Sequence, residues 1–394
     1  MATFDFETPV NRTGTGNMKG AMQTASGENR NILVLSGAEM DFMTAPVIRK
    51  AVADFAMRGI YGFTLPDESY LDKICHWMQT VRNLEVKKEE IVPTLGTIMG
   101  LNTAIRAFTK PGDGVIIQHP SYYRHDVAVK NNGREVVSNL LQENDGIYQI
   151  DFSALEEQMS KEKNKLLILC NPHNPTGKIF TRDDLIRISE LSRKYEVIVF
   201  SDEIFAEITF DSKKALSYAD IDETYSIIST SLGKVFNFTG VNQANLIIKN
   251  PTLRDRYLKQ RKTDHFGSLD PFFYTALHAG YSRQGYEWIT QMCAHVWQNY
   301  QTIKNEIEKN LPYIGISPLE GGFVLWADFR RLGLSDSELQ ERMEKDAGIL
   351  GDPGWEYGPG GSGFYRFNIA VPHSVVPVFL ERIKILCESQ HKIA

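Results

Sequence analysis

Five short apolar runs in the middle of the chain constrain the fold more than any other feature. They consist mainly of leucine and β-branched residues, without polar residues in alternation, and they lie at 114–117, 166–169, 197–200, 227–228 and 246–248. Apolar runs of this length are typical of strands that are buried on both faces, as in a parallel sheet covered by helices.

Helical patterns lie between these runs. One extends from Gly96 to Phe108 and is stopped by the Lys-Pro-Gly sequence at 110–112. Another extends from Arg182 to Lys194, with Thr181 in front of it as an N-cap and acidic residues in its first turn. The alternation of strands and helices predicts an α/β fold with a mostly parallel sheet.

The last third of the chain has a different pattern. A long helical stretch at 286–311 precedes two strand-like segments, at 322–326 and 365–369, which flank a glycine-rich loop at 351–363. An amphipathic helix closes the chain. We predict a large domain at 51–284, and a small α+β domain built from residues 1–50, which are poor in regular pattern, and 285–394.

Composition limits the classes of function. The 394 residues are 42% hydrophobic and 23% charged, as in a globular protein, and the net charge of −6 argues against nucleic acid or an anionic membrane as partner. No apolar run spans a bilayer, and the polar N-terminus has no apolar signal-peptide core. Four cysteines lie far apart without metal-ligand spacing: Cys75, Cys170, Cys293 and Cys387. We therefore expect a cytoplasmic protein with reduced thiols and no bound metal.

The residues just after the apolar runs are candidates for a binding site, because open α/β sheets bind ligands beyond the carboxyl ends of their strands. Tyr122, in HPSYY (119–123), offers either an aromatic face to a flat ligand or a surface turn. Asn174 lies in NPHNPTG (171–177), where prolines fix the backbone around an amide donor. Asp202 ends the third run, where a carboxylate is costly without a cationic partner.

A lysine follows the fourth run. Lys234 in SLGK (231–234) is either a loop lysine with its amine in water or an amine held in an apolar pocket for chemistry. The helix that begins Gly96-Thr97-Ile98 offers free backbone N–H groups to an anion, and Ser231 could add a hydroxyl. An aromatic ring, an amide, a buried carboxylate, an anion site and an amine together match pyridoxal 5′-phosphate. Lys234 would bond its aldehyde, and Asp202 would keep its ring nitrogen protonated.

At this point the chain resembles the fold-type I pyridoxal-phosphate enzymes of the class I/II aminotransferase family. NPHNPTG, SDEI (201–204) and SLGK carry the resemblance, which covers nearly the whole chain. Several stretches resemble the C–S β-lyase branch, of the cystathionine β-lyase and cystalysin type: AEMDF (38–42), YGFT (61–64), KPGDGVIIQHPSYY (110–123), KVFNFTG (234–240), GGFVLWADFR (321–330) and GFYRFNIAVP (363–372). The resemblance implies an aspartate aminotransferase-like fold, with a large seven-stranded sheet flanked by helices and a smaller α+β domain.

The resemblance also implies roles for individual residues. Lys234, Asp202 and Tyr122 are the expected catalytic residues. Arg366 is expected to bind the substrate α-carboxylate by a two-pronged pair, with the backbone near Ala38 as a further contact. The expected cofactor-binding residues are Gly96, Thr97, Ile98, Tyr122, Asn174, Asp202, Phe205, Ser231, Lys234 and, from a second copy of the chain, Tyr61.

Four positions depart from the family pattern. Gly233 replaces a frequent serine, Phe205 replaces the histidine of many lyases, and Asn242 stands where many aminotransferases have arginine, as fits the lyase branch. Phe63 stands where lyases place a phosphate-binding tyrosine from the neighbouring subunit. In an extended segment Tyr61 and Phe63 point the same way, so Tyr61 is the expected substitute in a homodimer with shared active sites.

The resemblance implies a C–S β-lyase that converts a sulfur amino acid of the cystathionine or cysteine type to pyruvate, ammonia and a thiol. The alternative is an aminotransferase that moves an amino group between an amino acid and a 2-oxo acid. Both reactions begin when Lys234 removes the substrate α-proton, so the pocket decides between them. A purely regulatory domain is disfavoured because Lys234 is retained.

Overall fold

The computed structural model describes residues 3–25, 32–264 and 266–391. The helices are α1 Met18–Ala25, α2 Pro46–Ala56, α3 Glu68–Val81, α4 Gly96–Phe108, α5 Tyr123–Asn131, α6 Phe152–Met159, α7 Arg182–Tyr195, α8 Leu232–Val235, α9 Pro251–Thr263, α10 Pro271–Gly280, α11 Arg283–Asn310, α12 Asp336–Lys345 and α13 Val375–His391. The strands are β1 Leu33–Val34, β2 Ile91–Thr94, β3 Gly114–His119, β4 Glu135–Leu140, β5 Gln142–Asn144, β6 Ile147–Gln149, β7 Asn164–Cys170, β8 Ile198–Asp202, β9 Ser226–Thr230, β10 Ala244–Ile247, β11 Gly315–Ile316, β12 Val324–Asp328, β13 Ile349–Leu350, β14 Asp352–Pro353 and β15 Phe364–Asn368.

A seven-stranded sheet forms the centre of the molecule, in the order β2-β10-β9-β8-β7-β3-β4. The neighbours from β9 to β4 are parallel, and β10 runs antiparallel to both β9 and β2. Every residue of β3, β8 and β9 is buried. The mostly parallel α/β sheet predicted from the apolar runs is therefore confirmed.

Helices cover both faces of this sheet. Because successive residues of a strand point to opposite faces, each strand contributes side chains to both of the resulting cores. Val115 and Ile117 share one core with Leu101 of α4 and Tyr257 of α9. On the other face, residues such as Ile116 share a core with side chains of α6 and α7. The Thr181 hydroxyl accepts a hydrogen bond from the backbone of Asp184 and so caps α7, as predicted.

Two strands of the sheet escaped the sequence analysis. The edge strand β4 is half exposed, with the polar sequence EVVSNL, so it lacks the apolar signature of its neighbours. The other edge strand, β2, contains Pro93, which strands tolerate at a sheet edge.

The next largest sheet has four antiparallel strands, in the order β11-β12-β15-β14. The predicted strands at 322–326 and 365–369 correspond to β12 and β15. The segment predicted as a glycine-rich loop at 351–363 contains regular structure instead, namely β14 and a 3₁₀ helix at Gly354–Tyr357.

The N-terminal segment is more regular than its sequence pattern indicated, since it contains α1 and β1. Strand β1 pairs in parallel with β13, so this segment contacts the C-terminal part of the chain. The domain boundaries at 50/51 and 284/285 stay a prediction, and the Cys387 side chain lies outside the described part of the structure. No helix in the described ranges combines the length and apolarity that crossing a bilayer requires.

Candidate active site

The carboxyl ends of β9, β8, β7 and β3 meet at one edge of the large sheet, because these strands are parallel neighbours. A cavity of about 480 Å³ opens there. Seven predicted site residues line it: Ala38, Tyr122, Asn174, Asp202, Phe205, Lys234 and Arg366. Five others do not line it: Gly96, Thr97, Ile98, Ser231 and Tyr61.

Lys234 lies on the short helix α8, and its amine points into the cavity. The Nζ atom donates a hydrogen bond to the carbonyl oxygen of Ala38 at 2.8 Å. Burial, and secondarily the positive charge of Arg366, lowers the pKa of Lys234 from 10.5 to about 8. A neutral amine is therefore accessible near physiological pH, which a nucleophile or general base requires.

The buried Asp202 carboxylate, at the end of β8, has a partner that the sequence analysis missed. Its Oδ2 lies 3.4 Å from Nε2 of His125, and its Oδ1 accepts the Ile204 backbone N–H at 3.3 Å. The other ring nitrogen of His125 lies 3.1 Å from the Ser121 hydroxyl. The sequence did not indicate this partner because His125 comes from α5, 77 positions earlier in the chain.

Arg366 and Asn174 are joined directly. Arg366 extends from β15 and is buried, and its Nη1 donates to Oδ1 of Asn174 at 2.9 Å. Because this contact occupies the acceptor of Asn174, its amide nitrogen is left as the donor group for a ligand in the cavity.

Asp352 holds the other side of the Arg366 guanidinium. Its Oδ2 accepts from Nε at 3.0 Å and from Nη2 at 2.5 Å, while Ser36 and Gly37 also donate to this carboxylate. Burial alone would raise the pKa of Asp352, but the Arg366 charge and these hydrogen bonds outweigh it and hold the pKa below its ordinary value. Asp352 thus orients Arg366 and fixes the turn that leads to Ala38. The sequence analysis missed Asp352 because it lies in the segment interpreted as a glycine-rich loop.

The two aromatic candidates, Tyr122 and Phe205, line the cavity with a phenol and with an apolar ring, respectively. Tyr122 precedes α5, and burial raises the pKa of its phenol to about 12, so it is neutral at physiological pH. Its ring meets that of His125 edge-on at 5.6 Å. Phe205 is buried and packs edge-on against Phe323 at 5.3 Å, so it supplies an apolar surface where many lyases have an imidazole.

The anion site predicted at the start of α4 has open backbone N–H groups. Gly96 has a φ of +76°, and Leu95 in front of it provides no side-chain cap. The Thr97 hydroxyl accepts from Ser229 at 2.9 Å. The Ser231 hydroxyl accepts from the backbone of Gly233 and donates to that of Gln243, so it caps α8 in the structure. Its contact with a phosphate stays a prediction.

The segment around Tyr61 lies outside the cavity of its own chain. The Tyr61 hydroxyl donates to the Ala56 carbonyl, and its ring packs between Phe55 and Phe272 at 5.8 and 5.7 Å. Phe63 is 96% exposed. The two rings therefore have different surroundings, rather than the shared one expected from an extended segment.

These donors fit pyridoxal 5′-phosphate. The cavity combines a lysine of lowered pKa, the buried Asp202 carboxylate and the amide donor of Asn174 beside the ring of Tyr122. Among the described residues, Nε2 of His125 has no hydrogen-bond partner besides its contact with Asp202. A Cβ on Gly96 would meet only Asn242, at 3.9 Å, so space is open at the start of α4. The fold and the site together define a pyridoxal-phosphate-dependent enzyme of fold type I.

Comparisons with known proteins agree. The model of the family described as aminotransferase class I and II matches residues 30–383. Cystathionine beta-lyase PatB of Bacillus subtilis is 35% identical over 350 residues, covering 88% of this chain and 90% of PatB. Cystalysin from Treponema denticola, a structure that contains pyridoxal 5′-phosphate, is 32% identical with a TM-score of 0.95 and covers 98% of this chain and 100% of its own. The pyridoxal-phosphate-bound C–S lyase from Staphylococcus hominis is 26% identical with a TM-score of 0.90 and 98% coverage of both chains. The chain belongs to the aminotransferase class I and II family.

Proposed function

We propose that this protein is a C–S β-lyase that converts a sulfur amino acid of the cystathionine or cysteine type to pyruvate, ammonia and a thiol. The observation that carries the proposal is the meeting of Lys234, Asp202 and Arg366 in one cavity, in a chain similar over most of its length to cystathionine β-lyase and cystalysin. Asn242, in place of the arginine of many aminotransferases, supports the lyase over the aminotransferase.

The cavity residues divide the chemistry between them. Pyridoxal 5′-phosphate, when bound, supplies a ring that withdraws electrons from the substrate α-carbon. Lys234 takes the α-proton, which its lowered pKa of about 8 permits at neutral pH. Asp202 would hold a proton on the ring nitrogen of the bound cofactor, and His125, 3.4 Å from its Oδ2, orients this carboxylate.

The remaining residues orient the substrate. Arg366 receives the α-carboxylate, and Asp352 and Asn174 fix its guanidinium for that task. Tyr122, which lines the cavity, would pack against the flat ring of the bound cofactor. In the elimination the electron pair left by the α-proton forms a double bond between the α- and β-carbons, and the bond between the β-carbon and sulfur breaks. Sulfur leaves with that bond's electron pair and takes up a proton to become the thiol, and water then hydrolyses the unsaturated amine to pyruvate and ammonia.

The decisive experiment measures both products at once. The holoenzyme is incubated with L-cystathionine, and pyruvate and ammonia are assayed with and without an added 2-oxo acid. We expect equal amounts of pyruvate and ammonia in the absence of the 2-oxo acid. Transfer of the amino group to the 2-oxo acid without release of pyruvate would instead establish the aminotransferase.

We further propose a homodimer with shared active sites. Five large apolar or aromatic side chains at positions 57–65 are exposed, and such a patch is typical of an interface: Met57, Ile60, Tyr61, Phe63 and Leu65. A second copy of the chain would cover them and would receive Tyr61 at its phosphate. Free thiols at Cys75, Cys170 and Cys293 support a cytoplasmic location.

A further inference from the structure

A cluster of two histidines and a glutamate lies away from the cavity, where the N-terminal segment meets α11 and the turn before α13. Glu7 Oε1 is 3.6 Å from Nδ1 of His295 and 3.7 Å from Nε2 of His373. The two imidazole rings stack, with centroids 3.9 Å apart. The three ligand atoms lie within 4.8 Å of one another.

The hydrogen bonds of His295 determine which of its ring nitrogens carries the proton. Its Nε2 lies 2.8 Å from the carbonyl oxygen of Val371, which can only accept, so Nε2 carries the hydrogen. Its Nδ1 is therefore the nitrogen that faces Glu7, at 3.6 Å.

The same reasoning applies to His373. Its Nδ1 lies 2.6 Å from Oδ1 of Asn299. The amide nitrogen of Asn299 donates to the carbonyl oxygens of Ile369 and Val371, which identifies Oδ1 as an acceptor. Nδ1 of His373 thus carries a hydrogen, and its Nε2 is the nitrogen that faces Glu7, at 3.7 Å.

The two ring nitrogens that face Glu7 and its carboxylate oxygen therefore converge. In the neutral form, with the hydrogen on the distal nitrogen, each ring would offer a lone pair to a cation placed between the three groups. Hydrogen bonding of the distal nitrogen to an acceptor oxygen is also how proteins orient histidines towards a metal. A zinc ion bonds nitrogen and carboxylate oxygen at about 2.0–2.2 Å, so it bridges donors up to roughly 4 Å apart. The separations of 3.6 and 3.7 Å lie within that reach.

We propose that Glu7, His295 and His373 bind a divalent transition-metal ion of the zinc type. Imidazole with carboxylate suits Zn²⁺, Ni²⁺ or Cu²⁺ better than Mg²⁺ or Ca²⁺. Glu7 is half exposed, so the ion has a path from solvent and water can complete its coordination. The ion fastens the N-terminal segment, whose Lys19 reaches the wall of the cavity, to α11. The sequence analysis expected no metal because these ligands have no short spacing.

Zinc binding to the holoenzyme tests the proposal. The protein is stripped with a chelator, dialysed against Zn²⁺ alone, and the bound metal is measured together with the melting temperature. We expect about one zinc per chain and a raised melting temperature in the wild type. Glu7→Gln and His373→Gln should bind zinc at least about tenfold more weakly and lose the thermal shift. His76→Gln, which changes an exposed histidine on α3, should behave like the wild type.

Two results would overturn the proposal. One is a wild type that binds no more zinc than Glu7→Gln. The other is equal zinc binding by all four proteins, which would place the ion on a thiol or on the cofactor phosphate. Glu7→Gln keeps an oxygen to accept the backbone N–H of His373, so it should fold, and unchanged lyase activity without zinc confirms that it has done so. If Glu7 only forms an ion pair with protonated His373, the wild type stays without a zinc-dependent thermal shift, and the proposal fails.

Discussion

We call the charged residues Lys234, Asp202 and Arg366 the floor of the cavity. This floor and the segment at 57–65 differ in whether their side chains have partners within the same chain. Each charged group of the floor has a partner from another element of the same chain: His125 beside Asp202, Asp352 around Arg366, and the Ala38 carbonyl on Lys234. In the 57–65 segment, by contrast, Phe63 is almost wholly exposed. The charged residues of the cavity thus have their partners within one chain, whereas the exposed segment at 57–65 is the part that the proposed second copy would cover.

Removal of the Lys234 amine should lower the rate of pyruvate production more than any other change. Lys234→Ala eliminates both the group that bonds the cofactor and the base, and loss of a general base alone costs up to about 10⁴-fold in rate. We expect a loss of pyruvate production of at least about that size, and loss of the adduct that borohydride fixes. Lys19→Met, at the other lysine that lines the cavity, is the matched control and should retain the adduct. Substantial activity in Lys234→Ala would contradict the account.

The carboxylate of the floor should come second. Asp202→Ala leaves the ring nitrogen without its charged partner, so we expect kcat to fall by about 10²–10³-fold while some cofactor stays bound. Asp202→Asn keeps the shape and removes the charge, and it should be similarly impaired. Near-normal turnover of Asp202→Ala, measured by pyruvate release, would show that the reaction does not depend on the Asp202 charge.

Mixing two defective chains tests whether Tyr61, in the segment at 57–65, acts on the neighbouring chain. Lys234→Ala and Tyr61→Ala should each be nearly inactive, but a mixed dimer with shared sites has one site with both defects and one with neither. After random mixing about a quarter of the sites are then intact, and activity should recover to about that fraction. The control pairs Lys234→Ala with Asp202→Ala, which lie in one chain's cavity, so no recovery is expected. Absence of recovery in the first mixture as well would assign Tyr61 to its own chain.

The smallest expected effect concerns pH. Because the folded-state pKa of Lys234 is about 8, the neutral amine predominates above that pH and decreases below it. The rate at which the apoprotein takes up pyridoxal 5′-phosphate should therefore rise with pH and reach half its plateau at about pH 8. A half-rise near the ordinary lysine value of 10.5 would show that the floor does not perturb this amine.

The sequence predicted the parts of the fold that depend on local pattern. The buried strands β3, β7, β8 and β9 carry continuous apolar runs, and α4 was predicted with its observed bounds at Gly96 and Phe108. Edge strands such as β4 were missed because partial exposure mixes polar and apolar residues. The regular structure in the first fifty residues was also missed, since short elements held by distant partners have little pattern of their own.

For the candidate site, the sequence indicated residues but not their partners. Lys234, Asp202 and Asn174 stand in motifs at strand ends, where position alone points to chemistry. His125 and Asp352 act on residues 77 and 14 positions away, so only the fold brings these pairs together. The environment of Tyr61 was not predictable either, because it depends on Phe55 and Phe272 packing around the ring.

We predict that Lys234, and no other amine of the cavity, bonds the cofactor. The cavity contains a rival, Lys19, whose amine is held by the Asp41 carboxylate at 2.9 Å and by the Glu39 carbonyl, whereas Lys234 contacts a carbonyl alone. The holoenzyme is reduced with borohydride and digested, and the labelled peptide is identified by mass spectrometry. We expect one pyridoxyl group, on Lys234. A pyridoxyl group on Lys19 would contradict this assignment.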